Sequence, residues 1–154
     1  MKKWLGILLM MVSGFAMASK DNVLFLQSAT TGTLVKNPDN TYTITLKDFP
    51  SYIGYFTDRP ERKAGIMTIG EFINFWKNKA IKNNFSEVPP NVAFVIKPPV
   101  GQPQNFIAEV LEPVYANNTL AYKVKVIGSK PTYTGKFVHL NAFFDDIPWN
   151  PGGF

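Results

Sequence analysis

The chain has no cysteine and a single histidine, His139. Without cysteine it can form neither a disulfide nor a thiolate nucleophile, so core packing and sheet hydrogen bonds must hold the fold. One histidine would have to serve any Ser-His-Asp triad by itself, and it cannot hold zinc without further soft ligands. A Gly-rich phosphate loop and a His-Glu helix motif are missing as well. We therefore expect no catalytic residue, no metal and no cofactor.

Charged residues are also few, at 18% of the chain. Without Lys2 and Lys3, which lie in a segment expected to be removed, 14 Lys and Arg stand against 11 Asp and Glu, a net charge of +3. The densest positive segment contains Lys77, Lys79 and Lys82. Nucleic-acid binding normally needs a concentrated basic stripe, so we expect no such partner. We interpret these lysines as a solvated helix face, with contact to an anionic lipid or glycan surface as the alternative.

The amino terminus lacks an apolar run long enough to span a bilayer, since residues 4–12 (WLGILLMMV) are too few. This run follows two lysines and precedes Ala16-Met17-Ala18, an order typical of a cleavable secretory signal peptide. We predict cleavage after Ala18, so that residues 19–154 form one mature domain in the periplasm or outside the cell. No further membrane segment is predicted, so we do not expect an integral membrane protein.

Beyond residue 19 the apolar residues mostly alternate with polar ones and are bounded by Pro, Asn, Gly and Asp, which is typical of β-strands. The strands predicted in this way cover residues 22–28, 33–36, 41–47, 52–57, 92–97, 105–112, 120–127 and 135–144. The turn cluster at residues 37–40 predicts a hairpin. In the last strand Phe144 is expected to face one side with Val138, and Phe143 the other side with Phe137. Phenylalanine on both faces predicts that part of this strand is covered on both sides.

One segment has helical rather than strand spacing. Thr68 and Glu71 match a capping box, and the apolar residues that follow recur three to four positions apart, which predicts an amphipathic helix over residues 69–79. The expected fold class is mainly β: an antiparallel sandwich or partly open barrel of about seven to eight strands. The helix is expected to plug an end of it or to cover a sheet.

Acidic and aromatic residues supply the remaining site candidates. A carboxylate pair about 5 to 10 Å apart could support glycoside hydrolysis, and the residues available for it are Asp58, Glu61, Asp145 and Asp146. A carboxylate-dependent hydrolase acting on a glycan or polymer is therefore one alternative function. Aromatic residues in predicted loops and in the tail could contact a ligand or cover the sheet ends, and these are Tyr115, Tyr133, Trp149 and Phe154.

The least generic segment is Phe56-Thr57-Asp58-Arg59-Pro60, followed by Arg62, Ala64-Gly65, the capped helix and Pro89-Pro90-Asn91. This order resembles the central motif of a family of small uncharacterised bacterial proteins. The likeness covers residues 43–145 and is strongest in the Asp-Arg-Pro block. The resemblance implies a shared fold, and it assigns neither an activity nor catalytic residues.

The Asp-Arg-Pro block has two interpretations. As a structural corner before the helix, Asp58 accepts backbone hydrogen bonds, and the Arg59 donor fork binds backbone carbonyls or a carboxylate. As a binding loop, Asp58 and Arg59 contact a ligand together with Glu61, Arg62 and Trp149. We prefer the corner. For the whole chain we expect a non-enzymatic binding or interaction protein with an unidentified protein, glycan or lipid partner, exported onward for instance by type II secretion.

Overall fold

Antiparallel β-strands make up most of the fold, as the alternation predicts. The computed structural model describes residues 22–60 and 62–148, apart from the side chains of residues 146–148. Within this part of the chain the elements are β1 (Asn22–Ala29), β2 (Thr31–Lys36), β3 (Tyr42–Asp48), β4 (Tyr52–Thr57), β5 (Ala64–Thr68), α1 (Ile69–Lys77), β6 (Asn91–Lys97), β7 (Gln104–Val110), β8 (Val114–Ala116), β9 (Thr119–Ile127), β10 (Gly135–Phe137) and β11 (His139–Pro148). The predicted class is confirmed, with eleven strands in place of seven or eight. The predicted signal peptide, Glu61 and Trp149 lie outside the described residues.

The additional strands are short, with five residues in β5 and three each in β8 and β10. Alternation over so few residues gives little sequence signal. β5 pairs with β4 as the second strand of a hairpin, so the Asp-Arg-Pro segment is a strand-to-strand turn and does not lead directly into the helix. β10 is the first part of the strand predicted over residues 135–144.

That predicted strand breaks at Val138, and the break changes which side chains face the core. Phe137 is 2% exposed and belongs to the core, whereas Val138 is 48% exposed, so the faces expected for these two residues were wrong. The partner segment is bent as well, at Thr30 between β1 and β2, and the register continues across both bends, with Ala29 opposite Leu140 and Gly32 opposite Phe137. Both strands of this two-stranded ribbon therefore bend at the same place.

All eleven described strands belong to one antiparallel sheet, in the order β10-β2-β3-β9-β7-β6-β11-β1-β4-β5, with β8 attached to β9. The order has two ends, so the sheet is open. The sheet still rolls around a core. Strands β1 and β2 follow each other in the chain but lie far apart in the strand order, and the same is true of β10 and β11, so the sheet must curve to bring them together. This is closer to the partly open barrel than to two facing sheets.

The helix begins at the predicted capping box. Glu71 N donates to Thr68 Oγ1 at 3.2 Å, and Thr68 N donates to Glu71 Oε2 at 2.8 Å. It ends at Lys77, two residues before the expected end, because Asn78 terminates it: its N–H still bonds Asn74 O at 2.8 Å, while its Oδ1 accepts from Ala80 N at 3.0 Å. Both ends therefore follow from side chains that compete for free backbone groups.

Aromatic rings join the helix to the inner face of the sheet. Phe72 lies with its ring centroid 5.3 Å from Phe25 and 4.9 Å from Phe144, and Trp76 lies 6.2 Å from Phe144 and 6.4 Å from Tyr122. Tilted and edge-on contacts of this kind add to the hydrophobic burial. The helix thus covers the inner face, as expected. No helix in the described part of the chain is long and apolar enough to cross a membrane.

Candidate functional site

The Asp-Arg-Pro segment forms the turn between β4 and β5. Asp58 Oδ1 accepts a hydrogen bond from Arg59 N at 2.7 Å, and the Asp58 carbonyl accepts one from Arg62 N at 3.0 Å. Beneath them the buried Thr57 accepts a bond at its Oγ1 from Lys63 N at 2.7 Å. The expected role of Asp58 as an acceptor for backbone N–H groups is confirmed.

The two arginines of this turn do not take part in that network. Arg59 and Arg62 are exposed, and neither guanidinium has a hydrogen-bond partner among the described residues. The expected contact between the Arg59 fork and backbone carbonyls or a carboxylate was therefore wrong within this part of the chain. The turn is structural through Asp58 and Thr57, and a role for the arginines in ligand binding stays a prediction.

A cleft of about 460 Å³ lies at the carboxyl end of α1. Its lining residues are Trp76, Lys77, Lys79, Asn84, Ser86, Glu87 and Glu112. Two of the three predicted lysines therefore stand beside two carboxylates that balance their charge, while Lys82 is not part of the lining. Lysines at this position also compensate the partial negative charge of the last helical carbonyls. The arrangement favours a solvated helix end over an anion-binding patch.

Hydrogen bonds within the chain already engage the polar floor of this cleft. The buried Asn84 donates through Nδ2 to Asn78 O at 3.2 Å and accepts at Oδ1 from the N–H groups of Ser86 and Glu87, each at 3.0 Å. Ser86 Oγ donates to the carbonyl of Trp76. These bonds fasten the following loop to the end of the helix, which gives the polar lining a structural role.

Two buried N–H donors, Trp76 Nε1 and Gln27 Nε2, have no hydrogen-bond partner among the described residues. Gln27 Oε1 accepts a hydrogen bond from the Tyr122 hydroxyl, and burial raises the pKa of that hydroxyl well above its ordinary value. Tyr122 therefore stays a neutral donor. Buried donors without partners are rare in folded proteins and mark places where the core is sensitive to substitution.

Of the four acids considered for a hydrolase, the two whose side chains the structure describes, Asp58 and Asp145, do not line the cleft. Asp58 is exposed in the β4–β5 turn and Asp145 is exposed on β11, while Glu61 and the side chain of Asp146 lie outside the described residues. His139 is also exposed on β11. Among the described residues no group of three or more His, Cys, Asp or Glu side chains could hold a metal ion.

The loop aromatics that the structure describes make contacts within the chain. Tyr133 donates its hydroxyl to the Lys136 carbonyl at 2.6 Å, and the Tyr115 ring centroid lies 6.3 Å from that of Phe49. These contacts favour the expectation that such rings cover the ends of the sheet. Trp149 and Phe154 lie outside the described residues.

The outward face of the sheet carries an apolar surface that sequence reasoning missed. Seven large side chains on it each expose between 42 and 67% of their surface, and we call them the outer patch: Leu26, Tyr52, Phe56, Ile66, Ile107, Ile127 and Phe143. Strand register aligns most of them in one row. In order across the sheet, the residues that lie opposite one another are Ile66, Gly54, Leu26, Phe143, Ala93, Ile107 and Ile127. At about 4.8 Å per strand, this row is roughly 30 Å long.

Uncharged residues also flank the row on β1, β4 and β5. The exposed or half-buried positions of these three strands on the outward face are Asn22, Leu24, Leu26, Ser28, Tyr52, Gly54, Phe56, Ala64, Ile66 and Thr68. The outward side of a sheet normally alternates to polar or charged residues where it faces water. Contiguous exposed apolar surfaces larger than a few hundred Å² often mark interaction sites, which makes the outer patch a candidate site.

Comparison of the chain with models of protein families, with curated proteins and with solved structures gives no match.

Proposed function

We propose that this chain is an exported, non-enzymatic protein that binds another protein through the outer patch, in the periplasm or, after type II secretion, outside the cell. The uncharged apolar row across seven strands carries this proposal. The predicted signal peptide supports export. We also propose that the chain shares its fold with the small bacterial proteins whose central motif the Asp58-Arg59-Pro60 block resembles.

The size of the patch supports a protein partner. A large apolar side chain has an accessible surface of roughly 200 Å², so seven such side chains that are about half exposed offer on the order of 700 Å². The largest apolar patch on a typical monomer is about 300–600 Å², and a standard protein interface buries about 800 Å² on each side. The outer patch therefore reaches the scale of an interface.

The chemistry of the outer patch also favours a protein partner over a glycan or a lipid. Glycan sites need convergent hydrogen-bonding groups, whereas the row itself offers only apolar side chains and glycine. Surfaces that bind anionic lipid combine apolar residues with an excess of Lys or Arg around them. The outward positions of β1, β4 and β5 carry no charge, and on the other strands of the row Lys97 and Lys125 are balanced by Asp145 and Glu109, with Glu109 directly opposite Lys125. Aromatic residues such as Tyr52, Phe56 and Phe143 are enriched at protein interfaces.

Site-specific photo-crosslinking in the exporting bacterium tests this function. A photo-reactive residue at position 143 should give discrete adducts of protein mass, because the patch is covered in the cell. The matched control is position 100, since Val100 is an apolar residue that is 88% exposed in the β6–β7 loop, away from the patch. Equal adducts at both positions, or none at 143, would refute the proposal.

A further inference from the structure

The outer patch ends at an open edge of the sheet. β5 is the last strand in the order and pairs only with β4, so its other side carries no strand. We propose that a different protein binds here by adding an extended segment to β5 as a further strand, with apolar residues along β5 and a carboxylate beside the β4–β5 turn. This proposal rests on the proposed function and names the kind of partner that the outer patch binds.

The hydrogen bonds between β4 and β5 determine which backbone groups of β5 face the open side. Thr57 N donates to Lys63 O at 2.7 Å, so this pair of residues is a bonded one. Bonded and non-bonded pairs alternate along an antiparallel ladder. Ala64 and Ile66 therefore direct their N–H and C=O groups away from β4, and these four groups have no hydrogen-bond partner among the described residues.

β5 also lacks the features that normally protect an edge. Exposed edge strands are usually short or carry a charge, a proline or a bulge, because unpaired backbone groups attract another strand. β5 has five residues, none of them charged or proline, its pairing with β4 is regular, and Ile66 at its centre is 67% exposed. At the other end of the sheet β10 has three residues, carries Lys136, and the Lys136 carbonyl accepts a hydrogen bond from the Tyr133 hydroxyl.

An extended polypeptide is the ligand that such an edge fits. Its backbone offers donors and acceptors at the same spacing as β5, and many domains bind a peptide at a sheet edge in this way. Residues that pair across a sheet share a face. The residue opposite Ile66 would therefore lie on the outward face, and an apolar residue there would extend the row of the outer patch by one strand.

Two arginines of the β4–β5 turn add a requirement for negative charge. Arg59 and Arg62 are exposed, and neither guanidinium has a partner among the described residues. Asp58 in the same turn already accepts the Arg59 N–H. A guanidinium binds a carboxylate through two parallel hydrogen bonds. A partner segment with an acidic residue next to the turn complements these arginines, while its apolar residues lie along the uncharged β5.

Photo-crosslinking at position 143 tests the added strand when it is combined with a change at the edge. Ala64→Pro removes one outward N–H and leaves the bonds to β4 in place. It should lower the yield of adducts at least about fivefold, because a carbonyl of the partner loses its donor. Ala64→Ser is the matched control, since it keeps the N–H and should leave the yield unchanged. Circular dichroism of the purified variants checks their fold.

Arg62→Glu tests the charge and replaces Ala64→Pro should that variant not fold. It should lower the yield at least about fivefold as well, because it brings like charges together. Val100→Glu adds the same charge at an 88% exposed position away from β5 and should have no effect.

Undiminished adducts in Arg62→Glu, or in a folded Ala64→Pro variant, would overturn the proposal and retain the binding function. Adducts of twice the chain mass would overturn it too, because the partner would then be a second copy. A wild-type chain without adducts at position 143 refutes the binding function itself, and the added strand with it.

Discussion

Gln27 and Tyr122 are polar side chains placed among the rings at the centre of the rolled sheet. Gln27 is 2% exposed and Tyr122 is fully buried, and each depends on the other for its hydrogen bond. A hydrogen bond between neutral buried groups contributes about 1 kcal/mol net, whereas leaving a buried group unpaired costs about 1–3 kcal/mol. The two residues should therefore behave as one unit.

A double-mutant cycle tests this coupling. Gln27→Met leaves the Tyr122 hydroxyl without its acceptor, and Tyr122→Phe leaves the Gln27 amide without its donor, so each should lower the free energy of unfolding by about 1–3 kcal/mol. The double variant should lose less than the sum by at least about 1 kcal/mol, because neither partner is then left unpaired. Urea unfolding measures all four proteins, and additive losses would contradict the coupling.

Arg59 illustrates the opposite case, an exposed residue in a turn that other groups hold together. Arg59→Ala should change the free energy of unfolding by less than about 0.5 kcal/mol, since its side chain has no partner among the described residues. Asp58→Ala is the comparison, because Asp58 Oδ1 accepts the Arg59 N–H, and it should be the more destabilising change. A loss of about 1–3 kcal/mol for Arg59→Ala in urea would restore the corner role predicted for this arginine.

At the scale of elements, the bent ribbon of β1–β2 and β10–β11 is what rolls the sheet. Gly32 follows the bend at Thr30, and a Cβ on it would come 2.0 Å from the Thr45 carbonyl oxygen and 2.4 Å from the Phe137 ring. Neighbouring backbone and an aromatic ring therefore close over this residue. The bend requires a position without a side chain.

Two glycine substitutions test that requirement. Gly32→Ala should destabilise the protein by more than about 2 kcal/mol, because the backbone of β3 must move to admit the methyl group. Gly54→Ala is the matched control: its Cβ meets open space in β4, so stability should be unchanged or rise by up to about 1 kcal/mol. Equal melting temperatures for the two variants would show that the bend does not need Gly32.

The two faces of β9 allow a similar comparison. Leu120 is fully buried, so Leu120→Asp should cost more than about 4 kcal/mol or prevent folding. Lys123 is exposed and binds Asp39 at 2.8 Å, a contact that lowers the pKa of that carboxyl. Lys123→Asp replaces this exposed ion pair by two like charges in water and should have a much smaller effect. Thermal unfolding of both variants with similar midpoints would mean that β9 is assigned to the wrong register.

At the scale of the whole molecule, the proposed export and the outer patch both bear on how the fold stays stable outside the cytoplasm. A protein that has no cysteine must keep its fold through core packing and sheet hydrogen bonds in a compartment where other proteins use disulfides. Covering a large apolar face after export would add burial at that point and would limit unspecific association. Export before the outer patch is covered is therefore the order that the proposed function implies.

Processing of the amino terminus can be read directly. We expect cleavage after Ala18, because the small-x-small motif there follows the apolar run at the usual distance. Mass spectrometry of the protein from the periplasm or the culture medium should show Ser19 as the first residue. A start within β1, which begins at Asn22, or an uncleaved chain confined to the cytoplasm, would contradict the predicted export.

Local pattern was enough for most individual elements. The turn cluster at residues 37–40, the capping box at Thr68 and the alternation around Leu120 depend on neighbours only a few positions away, and all three predictions are confirmed. Failures occurred where the deciding contact is distant. The break at Val138 depends on the bend of the paired strand. Arg59 is a local case, because Asp58, Thr57 and Lys63 close its turn within six positions and leave the guanidinium exposed.

Alternation and helical spacing by themselves thus determined the mainly β class, the helix with its cap and the core faces of the long strands, because each reflects burial repeated along a single element. Tertiary structure alone decided the outer patch. Leu26 and Phe143 meet because β1 pairs with β11, and Ile107 and Ile127 join the same row through β7 and β9. A shift of one residue in any of these registers would turn an apolar side chain to the other face, and register depends on pairings between strands far apart in the chain.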